Sequence, residues 1–301
     1  MSDTGFTKAD LDRAIEFLLP ELIKPLQGAY VARKIMAVNP NEKGTGLFRA
    51  RVRQLGTMGG GTIAYKLRSN GERDQVSIKA RTIDVPVLYK EFEIDRQDFD
   101  SYVNQGINLS TEATTLAMDV VASDEETMLL KSKTLTDSSE VIKGLYDSAT
   151  STIDTAYHLS TAGNAIKAIA AGIRQMRKKN VRETSFHWLL NPDEVEDISS
   201  TPVSGTTIYE MEQVIKALNS GSPNGPGSVW GSEDIPTGGG LLVPYDPSRK
   251  YFEILNPVEP SIELVVDPNH PDIGNIFGTV YEASIPYIKR PDCLYKFTDL
   301  N

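Results

Sequence analysis

The 301-residue chain has a single cysteine, Cys293, and only three histidines. One thiol excludes an intrachain disulfide and a thiolate metal cluster, and it fits a reducing compartment. His158, His187 and His270 stand in unrelated contexts with no partner four residues away, so no two of them share a helix face as a zinc site would need. His187 sits in an apolar strand beside Trp188 and reads as a core residue, and His270 in DPNHPD reads as part of a turn. No apolar run approaches the roughly 18 residues that cross a bilayer. The opening MSDTGFTKADLDRAIEF has acids where a secretory leader has its basic segment, the pattern of a soluble, intracellular, mature chain. G-x-S-x-G elbows and dinucleotide fingerprints are missing too. The glycine-rich TMGGGT lacks the lysine–serine ending of a phosphate loop, and no helical pattern follows it. Asp124, Glu125 and Glu126 are neighbours on a helix and point in different directions, so they make no carboxylate pair. No catalytic, cofactor-binding or metal-ligating residue is left as a candidate, and the chain reads as a non-enzyme.

What is present is ordinary in amount and uneven in placement. Hydrophobic residues make up 40% and charged residues 24%, the proportions of a soluble globular protein. The net charge is −10, too acidic for a general nucleic-acid binder. Between Val31 and Arg81, however, eleven lysines and arginines stand against three acids. Between Glu183 and Asn301, six stand against eighteen. Regions of opposite sign can be complementary within a subunit or between subunits, or can be plain solvated surface.

Along the chain, TKADLDRAIEFLL predicts a helix capped by Thr7, with a stripe of Leu11, Ile15, Leu18 and Leu19, limited or kinked by Pro20 and Pro25. GAYVARKIMAV leads into a strand. Residues 47–90 read as two long strands around a loose tip, LFRARVRQL going out and SIKARTIDVPVLYKEFEI returning. In the return strand Phe92 and Ile94 share one face and Glu91 and Glu93 the other, and Asp95 can cap the helix that follows. A helix is expected from Ser110 to Lys133 with Ala113, Leu116, Val120 and Val121 inward, and another from Thr161 to Lys179 with Ile166, Ile169, Ala170, Ile173 and Met176 inward. IKGLYDS between them is a short strand and turn. After Glu183 the pattern becomes strand–helix: SFHWLL, then NPDEVEDI capped by Asn191, then TTIYEMEQVIKAL with Ile208, Met211, Ile215 and Leu218 inward. Four strand-like stretches close the chain, and there is no repeat of 20 to 50 residues.

In this order the segments resemble the major capsid protein superfamily of tailed viruses, and within it the encapsulin shell proteins. QGAYVARKIMAV is similar to the segment leaving the family's N-terminal helix, QGINLSTEA to the approach to its spine helix, and IKGLYDS to its Gly-Leu turn. SFHWLLNPDEVEDI resembles the axial strand and helix, and TVYEASIPYIKRPDCLYKF the final strands. SDEETMLLKS departs from the acidic, aromatic and glycine pattern of many encapsulins, and the loops at GSPNGPGS and DPNHPDIG are longer. The resemblance implies an α+β tailed-phage major capsid fold. Its expected parts are an N-terminal helix and arm (1–46), an extended-loop hairpin (47–90), a peripheral domain with spine helices (91–184), an axial α/β domain (185–275) and returning C-terminal strands (276–301).

It implies a self-assembling icosahedral shell, first as the capsid of a virus or provirus around nucleic acid, assembled in the host cytoplasm. The alternative is an encapsulin nanocompartment around a cargo protein, with an unrecognised soluble α+β enzyme or ligand-binding protein as the remote third. The partner on the first two readings is the chain itself, with no membrane and no cofactor. A ribbon of roughly twenty residues per arm spans on the order of 60 Å, too far to be satisfied by its own body. Arg49, Arg51, Arg53, Lys66, Arg68, Lys79 and Arg81 on that hairpin are therefore expected to contact a neighbouring subunit.

Overall fold

The computed structural model describes residues 6–28, 30–41, 48–55, 78–106, 109, 111–154, 156–203, 208–222, 224–267 and 274–300. Helix α1 (Lys8–Gly28) starts from a reciprocal cap. The Asp10 N–H donates to Thr7 Oγ1 at 3.3 Å, and the Thr7 N–H donates to Asp10 Oδ2 at 2.9 Å. The backbone stays helical through Pro20 and Pro25, so neither proline ends the helix. Proline's fixed φ is itself helical, and its cost falls on the bond to the residue four back. The buried stripe is Ala14 and Leu18, with Leu11 and Ile15 half-buried, while Leu19, expected inward, is exposed.

The next segment turns once as α2 (Ala32–Ile35) where a run into a strand was expected; only Val38 bridges to Ile254. Strands β1 (Arg49–Leu55) and β2 (Ile78–Asp84) pair antiparallel, from Arg49 opposite Asp84 to Leu55 opposite Ile78. The hairpin tip lies outside the described residues. In β3 (Val87–Ile94) the alternation holds, with Ile94 buried and Glu91 and Glu93 exposed. Asp95 accepts from the Gln97 N–H at 2.7 Å to cap α3 (Arg96–Gln105), and Gly106 ends it in the left-handed region at φ 67°.

Helix α4 (Glu112–Leu130) follows, then the ribbon β4 (Ser132–Thr134) and β5 (Val141–Lys143), a single turn α5 (Leu145–Ser148), and β6 (Ser151–Ile153). Helix α6 (Asn164–Lys178) buries Ala165, Ala168, Ile169 and Met176, with Arg177 and Lys178 at its negative end. Strand β7 (Phe186–Leu190) is buried throughout, and Asn191 caps α7 (Pro192–Ser200) by accepting from the Asp193 N–H at 3.2 Å. Helix α8 (Glu210–Leu218) buries Val214 and Leu218, with Met211 and Ile215 half-buried; Ile208 precedes it and is exposed. Strands β8 (Val229–Gly231), β9 (Gly240–Pro244), β10 (Phe252–Val266), β11 (Ile276–Ile288) and β12 (Tyr295–Phe297) complete the chain.

Two main sheets organise these elements. A five-stranded sheet runs β6-β12-β9-β7-β8, with the β7–β8 and β6–β12 pairs parallel. Its core holds Phe186, Trp188, Leu242 and Phe297, and Gly172 lets α6 lie close to Leu242. The other sheet has three strands in the order β10-β11-β3, all antiparallel. Its inner face, with Ile94, Ile262, Leu264, Ile276 and Val280, packs with Leu18 of α1 and Met118 and Val121 of α4. A third cluster joins the hairpin root to this body through Ala50, Val52, Val85, Met128, Leu255 and Ile285.

Gly278 lies opposite Phe92 in the β11–β3 register, and a Cβ there would clash with the Cζ edge of the Phe92 ring. Gly278→Ala is therefore expected to destabilise the subunit by about 1–3 kcal/mol through overpacking. Urea unfolding should show a lower midpoint with an unchanged slope, and adding Phe92→Leu should recover part of the loss.

Candidate assembly surface

Only part of the basic hairpin is described. Arg49 is exposed, and its Nε meets Asp84 Oδ1 across the strand pair at 2.8 Å. A pair this exposed contributes about 0–1 kcal/mol and leaves the arginine available to other partners. Arg51 stands opposite Thr82 and Arg53 opposite Ala80, which puts both at the alternate positions shared with Arg49. Arg81 stands opposite buried Val52 and Lys79 opposite Gln54, on the other set of positions. Lys66 and Arg68 lie outside the described residues.

Helix α4 departs most from the sequence expectation. Leu116 and Val120, expected inward, are 66% and 45% exposed and stand one turn apart on the same side. The buried side is Thr114, Ala117, Met118, Val121, Ala122, Glu125, Glu126 and Leu129, one position away from the expected face. Bulk apolarity suggested the first face. The second carries Met118, Val121, Ala122 and Leu129, and two glutamates at its end have buried partners.

Those partners make a polar junction where the hydrophobic clusters meet. Arg33 of α2 grips Glu125 with two bonds, Nε to Oε2 at 2.7 Å and Nη2 to Oε1 at 2.8 Å. The same Nη2 reaches Glu282 Oε2 of β11 at 2.9 Å. Glu126 accepts the N–H groups of Val31 and Ala32, one on each oxygen, at 2.9 Å each. Glu282 is fully buried, and burial first, with the Glu125 charge second, pushes its carboxyl up to about 8. Burial likewise raises Glu126 to about 7, against the pull of its two backbone donors. Asp124 turns away to Lys133 at 2.6 Å. The three adjacent acids do point in different directions, as expected, yet Glu125 finds a second carboxylate from a distant strand. The sequence signal was phase: Ile276, Gly278, Val280, Glu282 and Ser284 alternate inward, so the acid stands in an apolar series.

His158 is exposed, and His270 lies outside the described residues. His187 is buried in β7, accepts from Trp230 Nε1 at 3.3 Å, and is pushed by burial down to about 4, so it is neutral at pH 7. Burial pushes the Cys293 thiol up to about 12, which leaves it a poor nucleophile. Among the described residues no group of acids, histidines and cysteine could hold a metal ion, and no helix is long and apolar enough to cross a membrane.

Residues 49–245 match the family described as encapsulating protein for peroxidase. No curated protein sequence matches. Among solved structures, the virus-like particle from Pyrococcus furiosus is similar at TM-score 0.62 and 15% identity, over 96% of this chain and 98% of that one. The capsid of Myoviridae phage XM1 is similar at TM-score 0.66 and 14% identity, over 91% and 94%. The capsid of an empty GTA particle is similar at TM-score 0.57 and 11% identity, over 89% of each. At such identities the likeness speaks for the fold, the α+β capsid fold of phage shells.

Removing the junction's one guanidinium strands the buried Glu125 carboxylate and leaves the Glu282 carboxyl without its donor. Arg33→Met is expected to cost about 3–5 kcal/mol in denaturant unfolding at pH 7. Adding Glu125→Gln should restore part of it, because one unpaired charge is removed. A loss below about 1 kcal/mol would show that the junction is solvated in solution.

Proposed function

The chain belongs to the family of encapsulating proteins for peroxidase, and on that footing we propose that it builds a closed icosahedral shell around a protein cargo. Family and fold are those of structural shell proteins, which assemble from copies of one chain. The family match over residues 49–245 carries the choice of a protein cargo, and a peroxidase is the enzyme that its description names. A virus or provirus capsid around nucleic acid is the second reading, supported by the fold it shares with the phage XM1 capsid. On either reading the shell assembles in the cytoplasm, and the chemistry belongs to the contents and not to this chain.

Within the shell we assign α1, α3, α4, β3, β10 and β11 to the peripheral part, and α6–α8 with the five-stranded sheet to the axial part. The hairpin of β1 and β2 is the arm that reaches a neighbour, with its arginines over the neighbour's acidic surface. The charge division along the chain supports this. Leu116 and Val120 are the apolar ground that a neighbouring subunit covers. Burying a leucine or valine fully contributes about 1.5–3 kcal/mol each, more than exposed ion pairs provide.

Negative-stain microscopy of the purified chain should show round particles, and their absorbance ratio at 260 and 280 nm should be that of protein. Particles rich in nucleic acid would favour the second reading, and a monodisperse monomer would refute both. Leu116→Asp with Val120→Asp is expected to keep the circular dichroism of the wild type but to give subunits in place of particles. Normal particles from this double variant would remove α4 from the interface. Arg49→Glu, Arg51→Glu and Arg53→Glu together should slow assembly at least tenfold at low salt, followed by light scattering. Normal kinetics would make that charge mere solvated surface.

A further inference from the structure

Around Arg33 the arithmetic of charge does not balance. One guanidinium serves Glu125 and Glu282, while Glu126 is answered by two backbone N–H groups alone. Glu259 of β10 and Asp234, in the stretch after β8, add negative charge to the same region, the first felt by Arg33 and the second by Glu126. Glu282 is fully buried, Glu125 is 2% exposed and Glu126 is 7% exposed, so water does little to disperse these charges. Glu282 Oε1 has no hydrogen-bond partner, which leaves an oxygen free to carry a proton. Beside it on β11, Ser284 is equally buried.

We propose that the Glu282 carboxyl is a proton-operated latch: protonated, it lets α4, β11 and the Val31–Met36 segment stay closed around Arg33, and ionised, it drives them apart.

The segment released is the one that joins α1 to the rest of the chain. Its attachment includes the two N–H bonds to Glu126 and the Arg33 grip, both of which end on α4. A second full negative charge facing Glu125 in a dry pocket repels it, and Arg33 cannot neutralise both. The direction of the pH effect follows from the raised acids. Unfolded glutamates ionise near 4.5, whereas Glu126 and Glu282 hold their protons to about 7 and about 8. Below about 4.5 both states are protonated and the junction has its full strength. From there each group weakens it by roughly tenfold per pH unit until its own folded value is passed, and above about 8 the loss is complete. Ionisation of Glu282 inside the folded chain, the latch step itself, falls at the upper end of that window.

Hydrogen exchange by mass spectrometry on the full, assembled chain reads this directly. After correction for intrinsic rates, protection of the amides from residue 30 to 36 should fall at least tenfold between pH 6 and pH 9. Glu282→Gln keeps the shape and cannot ionise, so it should cut that fall at least fivefold, leaving the smaller contribution of Glu126. An equal fall in wild type and variant, or none in the wild type, overturns the proposal. Should Glu282→Gln fail to fold, Glu125→Gln supplies the test. With the opposing charge removed, ionised Glu282 stays paired with Arg33 and nothing drives the segment away, so the fall in protection between pH 6 and pH 9 should shrink at least fivefold. A fall as large as that of the wild type overturns the proposal as well.

Discussion

A half-buried guanidinium bonded to two buried carboxyl groups constrains everything around it, because a buried carboxylate is costly unless its partner stays within reach. Arg33 is in that position. Its bonds to Glu125 and Glu282 fix the rotation of α4 about its axis and the register of β11 against α4. They also hold the short turn that follows the N-terminal helix. Rotating α4 by one residue would bring Leu116 inward, as apolarity alone would favour, but would swing Glu125 out of Arg33's reach. The exposed apolar stripe and the buried acids are thus two aspects of one constraint. Leu116 and Val120 stay in solvent on the single subunit, which is why the proposed neighbour contact is placed there.

Most of the architecture could be read from local pattern. The all-apolar FHWLL run is β7, Asn191 and Pro192 mark the start of α7, and Asp95 caps α3, because each signal is complete within a few residues. The failures came where the deciding partner is remote. The face of α4 depends on Arg33, some 90 positions earlier, and on Glu282, some 160 positions later. Leu19 and Ile208 looked inward by spacing, yet the elements they lie on or beside turn other residues to the core. Pro20 and Pro25 were expected to limit or kink the first helix, and the helix runs on through both because proline's fixed φ is itself helical.

The candidate surface was legible as composition more than as geometry. A basic stretch near the hairpin and an acidic distal half are plain in the sequence, whereas the acids of the junction were hidden inside that same acidity. Eighteen acids from residue 183 onward gave no reason to single out Glu282. Its place in an inward-facing series of Ile276, Gly278 and Val280 did, once β11 was known to lie against α4.

The five-stranded sheet has a consequence for how the protein is made. Strand β12 sits between β6 and β9, so two strands formed earlier wait for a third that comes late. The ribosome delivers Pro244 about fifty residues before Tyr295, a wait of roughly 3–10 s at about 5–20 residues per second. Throughout it the apolar strand Gly240–Pro244 has one uncovered edge, and Trp188 lacks Phe297 against its ring. A nascent subunit is therefore unfinished in its axial sheet while its long hairpin is already out of the ribosome.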